Sequence, residues 1–153
     1  MVQFGDITLP ALAARDAADN ITIQNVRIPS SKEPLACFRA EILKLMTDLN
    51  FSWPAMCAMR IAITEALNNA KEHGNGNDPT KTILVSYQID SQCAWVAIED
   101  EGIGFDATFH IADIQRGGQL RGARQGLALI RQCCDEFGIT PPGNRIELLK
   151  HNA

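Results

Sequence analysis

Apolar residues recur along this chain in two rhythms. Between residues 32 and 70 they return every three or four positions, and around that block they alternate with polar ones. "SSKEPLACFRAEILKLMTDLNFS" opens with serines suited to capping and places Leu35, Phe38, Ile42, Leu43 and Met46 on one helical stripe. A second helix follows "SWP", with Pro54 near its first turn and Met56, Met59, Ile63, Ala66, Leu67 and Ala70 as its apolar side. "ITIQNVRIP" (21–29) alternates and ends on proline, which predicts a strand. "KTILVSYQID" and "QCAWVAIED" are two further strands across a short polar turn, hence an antiparallel pair. "RQGLALIRQCCDEF" restores helical spacing and "NRIELLK" closes with a strand. The order β, α, α, β, β, loop, α, β predicts a two-layer α/β sandwich: a mixed, mostly antiparallel sheet with helices on one face.

Two regions lack a period. Residues 1–20 are expected to form an N-terminal arm, leaving 21–153 as one domain. From "EGIGFD" to "GGQLRGA" glycine and polar residues accumulate, so the span from about Ile103 to Arg121 is expected to act as a lid.

Composition narrows the classes of function. With 46% hydrophobic and 21% charged residues in 153, a single soluble core is expected. A net charge of −4 and a pI near 5.3 argue against a nucleic-acid surface, which needs a basic patch. No apolar run approaches a membrane span, and "MVQFGDITLP" has an acidic residue where a signal peptide carries basic ones, so a cytoplasmic address is expected. The five cysteines, 37, 57, 93, 133 and 134, lack CxxC spacing and sit in apolar stretches, which favours free thiols filling the core.

Three stretches carry chemistry. In "EALNNAKEHGNGND" (65–78), Glu65, Asn69 and His73 repeat at steps of four, one polar line beside an apolar helical face. A solvated edge would look the same. So would an amide offered to Mg²⁺ by Asn69, with Glu65 one turn earlier able to take a proton. "IEDEGIGFD" sets Asp100 at a strand end before Gly102 and Gly104. This is either a plain glycine turn, or a carboxylate that accepts from the exocyclic amine of adenine beside backbone free of Cβ. "GGQLRGARQGLALI" runs from an arginine-bearing loop into a helix, where Gly126 would suit phosphate, with Arg121 or Arg124 adding charge. A capped helix after a flexible loop explains the same residues.

Taken in order, "EALNNAKEHG", "DEGIGFD", "RQGLALIRQCCDE" and "GNRIELLK" resemble the nucleotide-binding boxes of the GHKL ATPase superfamily, the Bergerat fold. The similarity is greatest to its single-domain branch, the anti-sigma-factor serine/threonine kinases, and covers about residues 21–150. It implies ATP or ADP with Mg²⁺, Asn69 as metal ligand and Glu65 as general base. It also implies a nucleotide pocket formed by Asn69, His73, Gly74, Asp100, Gly102, Gly104, Phe105, Arg121, Arg124, Gly126, Leu127 and Asn144. The partners implied are a STAS-type anti-anti-sigma protein and a sigma factor or other regulatory target, with the kinase as a homodimer.

Two positions depart from that pattern. Arg124 replaces the first glycine of the usual Gly-x-Gly before the last helix, and Asn144 stands in place of a threonine near the adenine. Glu65 fits a phosphate-transferring enzyme. Arg124 leaves open a second reading, a regulator that binds nucleotide and exchanges partners without transfer.

Overall fold

The computed structural model describes residues 23–102, 123–140 and 144–152. The expected N-terminal arm and the expected lid lie outside these residues. Five strands and three α-helices follow one another as β1 (Gln24–Pro29), α1 (Lys32–Asp48), α2 (Trp53–Asn68), β2 (Thr82–Ile89), β3 (Cys93–Glu99), α3 (Ala123–Cys133), β4 (Glu136–Thr140) and β5 (Arg145–His151). The sheet order is β1-β2-β3-β5-β4. Every pairing is antiparallel, so among the described residues the sheet is not the mixed one expected from the element order.

The helical stripes are buried as their spacing predicts. Leu35, Phe38, Ile42 and Met46 of α1 pack with Met59, Ile63, Ala66 and Leu67 of α2. Beneath them lie Ile83 and Val85 of β2, Val96 and Ile98 of β3, Ile139 of β4, and Ile146 and Leu148 of β5. Ser52 caps α2 by accepting a hydrogen bond from the N–H of Ala55, and Pro54 fills a first-turn position whose N–H would otherwise need a partner. β3 runs down the middle of the sheet and is buried on both faces. Its other face, with Cys93, Trp95 and Ala97, joins Leu149 and Ile23 in a second small cluster.

Two expectations need correction. The last helix stops at Cys133; Glu136 and Phe137, assigned to it by spacing, open the edge strand β4, which runs on to Thr140. Asp135 makes the break: its N–H donates to Leu149 O at 3.0 Å and its carboxylate accepts from His151 N at 2.6 Å, which turns the chain onto β5. The cysteines are free thiols, but they are not uniformly core residues. Cys93 is buried, Cys57, Cys133 and Cys134 are half-buried, and Cys37 is exposed. Burial pushes the Cys134 thiol up to about 12, so it stays protonated at neutral pH.

Candidate functional site

The polar line in "EALNNAKEHG" does not remain a straight α-helix. After Asn68 the backbone widens into one π-turn, Asn69–Gly74, closed by Asn75 N donating to Ala70 O at 2.8 Å. Single π-turns occur at functional sites because they swing side chains off the regular register. Asn69, at the start of the turn, is buried, whereas His73 is exposed. The expected face of three therefore keeps Glu65 and Asn69, and the wider turn carries His73 out of it.

Glu65 and Asn69 meet the start of α3. A Cβ placed on Gly126 would lie 3.1 Å from Glu65 Oε2, 3.1 Å from Asn69 Nδ2 and 3.3 Å from Asn69 Oδ1. A side chain at position 126 would press on both groups unless they shifted by a few tenths of an ångström. Asn69 Nδ2 is buried and has no hydrogen-bond partner among the described residues. Because the two ends of an amide are interchangeable in such an assignment, this is an amide with unmet polar capacity, facing a carboxylate and a helix start. An amide oxygen from Asn69 would suit an oxygen-preferring cation such as Mg²⁺. Leu127, next to Gly126, points into the core.

The far end of the π-turn forms a second corner. Gly74 lies directly against the Asp100 carboxylate, so close that any Cβ there would overlap it. A Cβ on Gly102 would stand 2.5 Å from Gly74 O and 2.8 Å from Asp100 Oδ1. Asp100 Oδ1 accepts from Gly102 N at 2.7 Å. Burial raises the Asp100 carboxyl above the usual aspartate range, and that hydrogen bond only partly opposes it. Asn144 grips the main chain of Asp100 from both sides: its carbonyl accepts from Asp100 N at 2.9 Å and its Nδ2 donates to Asp100 O at 3.1 Å. The departure from threonine thus supplies backbone support.

Asn75 was not singled out by the sequence, yet it ties the corner together. It is 1% exposed; Nδ2 donates to Thr82 O at 3.1 Å and Oδ1 accepts from Glu101 N at 2.8 Å. The π-turn, the start of β2 and the turn after β3 are thereby fastened to one side chain. Its position among Gly74, Gly76 and Asn77 reads as turn composition, and no spacing marks it. Gly104, Phe105, Arg121 and the side chain of Arg124 lie outside the described residues. Among the described residues, no three His, Cys, Asp or Glu side chains converge on a metal site, and no helix is long and apolar enough to cross a membrane.

Two polar corners, Glu65 and Asn69 against Gly126 and Asp100 against Gly74 and Gly102, thus lie on one α/β sandwich and are joined by the π-turn. Residues 28–150 match the histidine kinase-like ATPase domain, and the chain belongs to that family. It is 28% identical over 88 residues to the serine-protein kinase RsbW of Listeria innocua, covering 58% of this chain and 54% of that protein. It is also 23% identical over 118 residues to the anti-sigma F factor of Anoxybacillus flavithermus, covering 74% of this chain and 81% of that one. The match thus spans about half the length of the RsbW relatives. A crystal structure of RsbU and RsbW domains from Mycobacterium tuberculosis superimposes with a TM-score of 0.57 at 16% identity, over 86% of this chain and 32% of the other, which establishes the shared fold.

Proposed function

We propose that this chain is a protein serine/threonine kinase of the anti-sigma type. It binds ATP with Mg²⁺, phosphorylates a STAS-type antagonist, and holds a sigma factor or another regulatory target once that antagonist is phosphorylated. The observation that carries the reading is the convergence of Glu65 and Asn69 on Gly126, within 3.1 Å of where a Cβ would stand. The names of the relatives support the same reading. Bound Mg²⁺ would offset phosphate charge. Asn69 would hold that ion, the N–H groups at the start of α3 around Gly126 hold the phosphates, and Asp100 reads the adenine amine. The acceptor hydroxyl gives its proton to Glu65 as its oxygen bonds to the γ-phosphorus, and the bond from that phosphorus to the bridging oxygen breaks to release ADP.

Radiolabelled ATP with a purified STAS-type protein tests this. Glu65→Gln should lower transfer about 10²- to 10⁴-fold while leaving nucleotide affinity near that of the native chain. Transfer undiminished in Glu65→Gln would remove Glu65 as the base. Arg124, standing where a glycine is expected, favours the second reading of a nucleotide-gated binder. Association without transfer under saturating Mg²⁺ and ATP would select that reading. A homodimer belongs to the same proposal, and light scattering at working concentrations tests it.

A further inference from the structure

A cleft lies outside the site described above, between α1 and α2. It has a volume of about 340 Å³ and is lined by Lys32, Leu35, Ala36 and Arg39 of α1 and by Thr64, Leu67, Asn68, Lys71 and Glu72 of α2 and the π-turn. Its floor is apolar, through Leu35 and Leu67, and three of its polar residues are cations in a chain of net charge −4. Arg39 Nη1 donates to Thr64 Oγ1 at 3.0 Å, and Lys71 Nζ donates to Asn77 Oδ1 at 2.9 Å. Among the described residues no carboxylate pairs with Lys32, Arg39 or Lys71, although Glu72 shares the cleft.

From this we infer that the α1–α2 cleft is a docking site for an acidic, partly apolar peptide segment of a partner protein. Two features favour a peptide over a single phosphate. Lys32 and Arg39 are seven residues apart on one helix, about 10 Å along its axis, and Lys71 faces them from the π-turn, so the cations are spread along the cleft as successive acidic side chains of a peptide would need. Ala36 and the aliphatic stems of Lys32, Arg39 and Lys71 give the cleft apolar surface that a peptide side chain would cover and a phosphate would not, while Leu35 and Leu67 beneath them belong to the core. The start of α1 adds positive potential at the Lys32 end, because the Ser31 side chain leaves its N–H groups uncapped. Charge complementarity of this kind sets encounter rate and register more than raw affinity, so binding should be salt-sensitive.

The inference does not rest on the kinase reading, since neither nucleotide nor transfer enters it. The test is amide chemical-shift mapping of the full chain with a synthetic peptide of alternating glutamate and leucine, without nucleotide. Shifts should cluster on residues 32–39 and 64–72. The exposed charge reversal Lys32→Glu should weaken peptide binding about 10-fold, as should Arg39→Gln, with an unchanged melting temperature as the control for folding. An absence of shifts in those two segments at millimolar peptide would overturn the site. So would equal affinity in both variants. Inorganic phosphate that reproduces the same shifts at similar concentration would overturn the peptide assignment and leave a simple anion site.

Discussion

At the scale of single residues, Gly126 and Asp100 carry the most testable chemistry. Alanine is the better helix former by about 0.5–1 kcal/mol, so Gly126→Ala should leave thermal stability near that of the native chain. Its methyl group would nevertheless press on Glu65 Oε2 and on the Asn69 amide, and affinity for ATP should fall sharply. Calorimetric titration beside a melting curve separates the two effects; a variant that binds ATP normally would free that corner of its assigned role. An ionised Asp100 accepts from an adenine amine more strongly than a protonated one, and burial raises its pKa above the ordinary aspartate value. A raised carboxyl takes up its proton at higher pH than an exposed one. ATP affinity should therefore begin to fall on acidification earlier than an unperturbed aspartate would allow, and Asp100→Asn should bind weakly with the Asp100 step removed from its pH profile. Glu65, Asn69, Asp100 and Gly126 were legible because motif and spacing name them. Asn75 was not, because its role consists of contacts with Thr82 and Glu101, 7 and 26 residues away.

At the scale of elements, the π-turn decides what the helix presents. It keeps Asn69 inside, sends His73 outward and brings Gly74 against Asp100, so one widened turn spans both corners. A period of four predicts a straight line of side chains and cannot register the extra residue in that turn. Asn75→Ala should cost about 1–3 kcal/mol, since it leaves the Thr82 carbonyl and the Glu101 N–H without their partner. It should also weaken ATP binding, because the π-turn and the turn after β3 lose their shared tie. Urea denaturation and calorimetry measure the two consequences; unchanged stability would mean that water replaces both bonds. β4 escaped notice for a related reason. Its first two residues, Glu136 and Phe137, continue the apolar spacing of α3, and the bonds from Asp135 to Leu149 and His151 and the pairing with β5 turn the segment into a strand.

At the scale of the whole molecule, the sheet has two unlike faces. One carries the helices and most of the core; the other holds Trp95, Cys93, Ala97 and Leu149, with Glu147 buried beside them. Burial raises the Glu147 carboxyl above its ordinary range, and Arg145 at 3.9 Å and the Trp95 indole offset this only in part. The indole N–H and Glu147 Oε1 both remain without a completed hydrogen bond. A raised carboxyl favours the fold below the ordinary glutamate pKa and loses that contribution as pH climbs through the raised value. Glu147→Gln should accordingly melt at higher temperature than the native chain at pH 7, with the difference closing as pH falls toward the ordinary glutamate range. Melting curves across pH check this, and a difference that does not vary with pH would assign the effect to packing. The periods of the sequence alone determined where α1, α2, β2, β3 and β5 form, and its ordered motifs named the residues of both corners, because helix and strand spacing and short boxes are local properties. Tertiary structure alone decided that the sheet is antiparallel throughout, that the last helix ends at Cys133, that Asn144 supports Asp100, and that Gly126 meets Glu65 and Asn69. Each of those outcomes depends on hydrogen bonds or steric contacts between segments far apart in the chain, which no local period encodes.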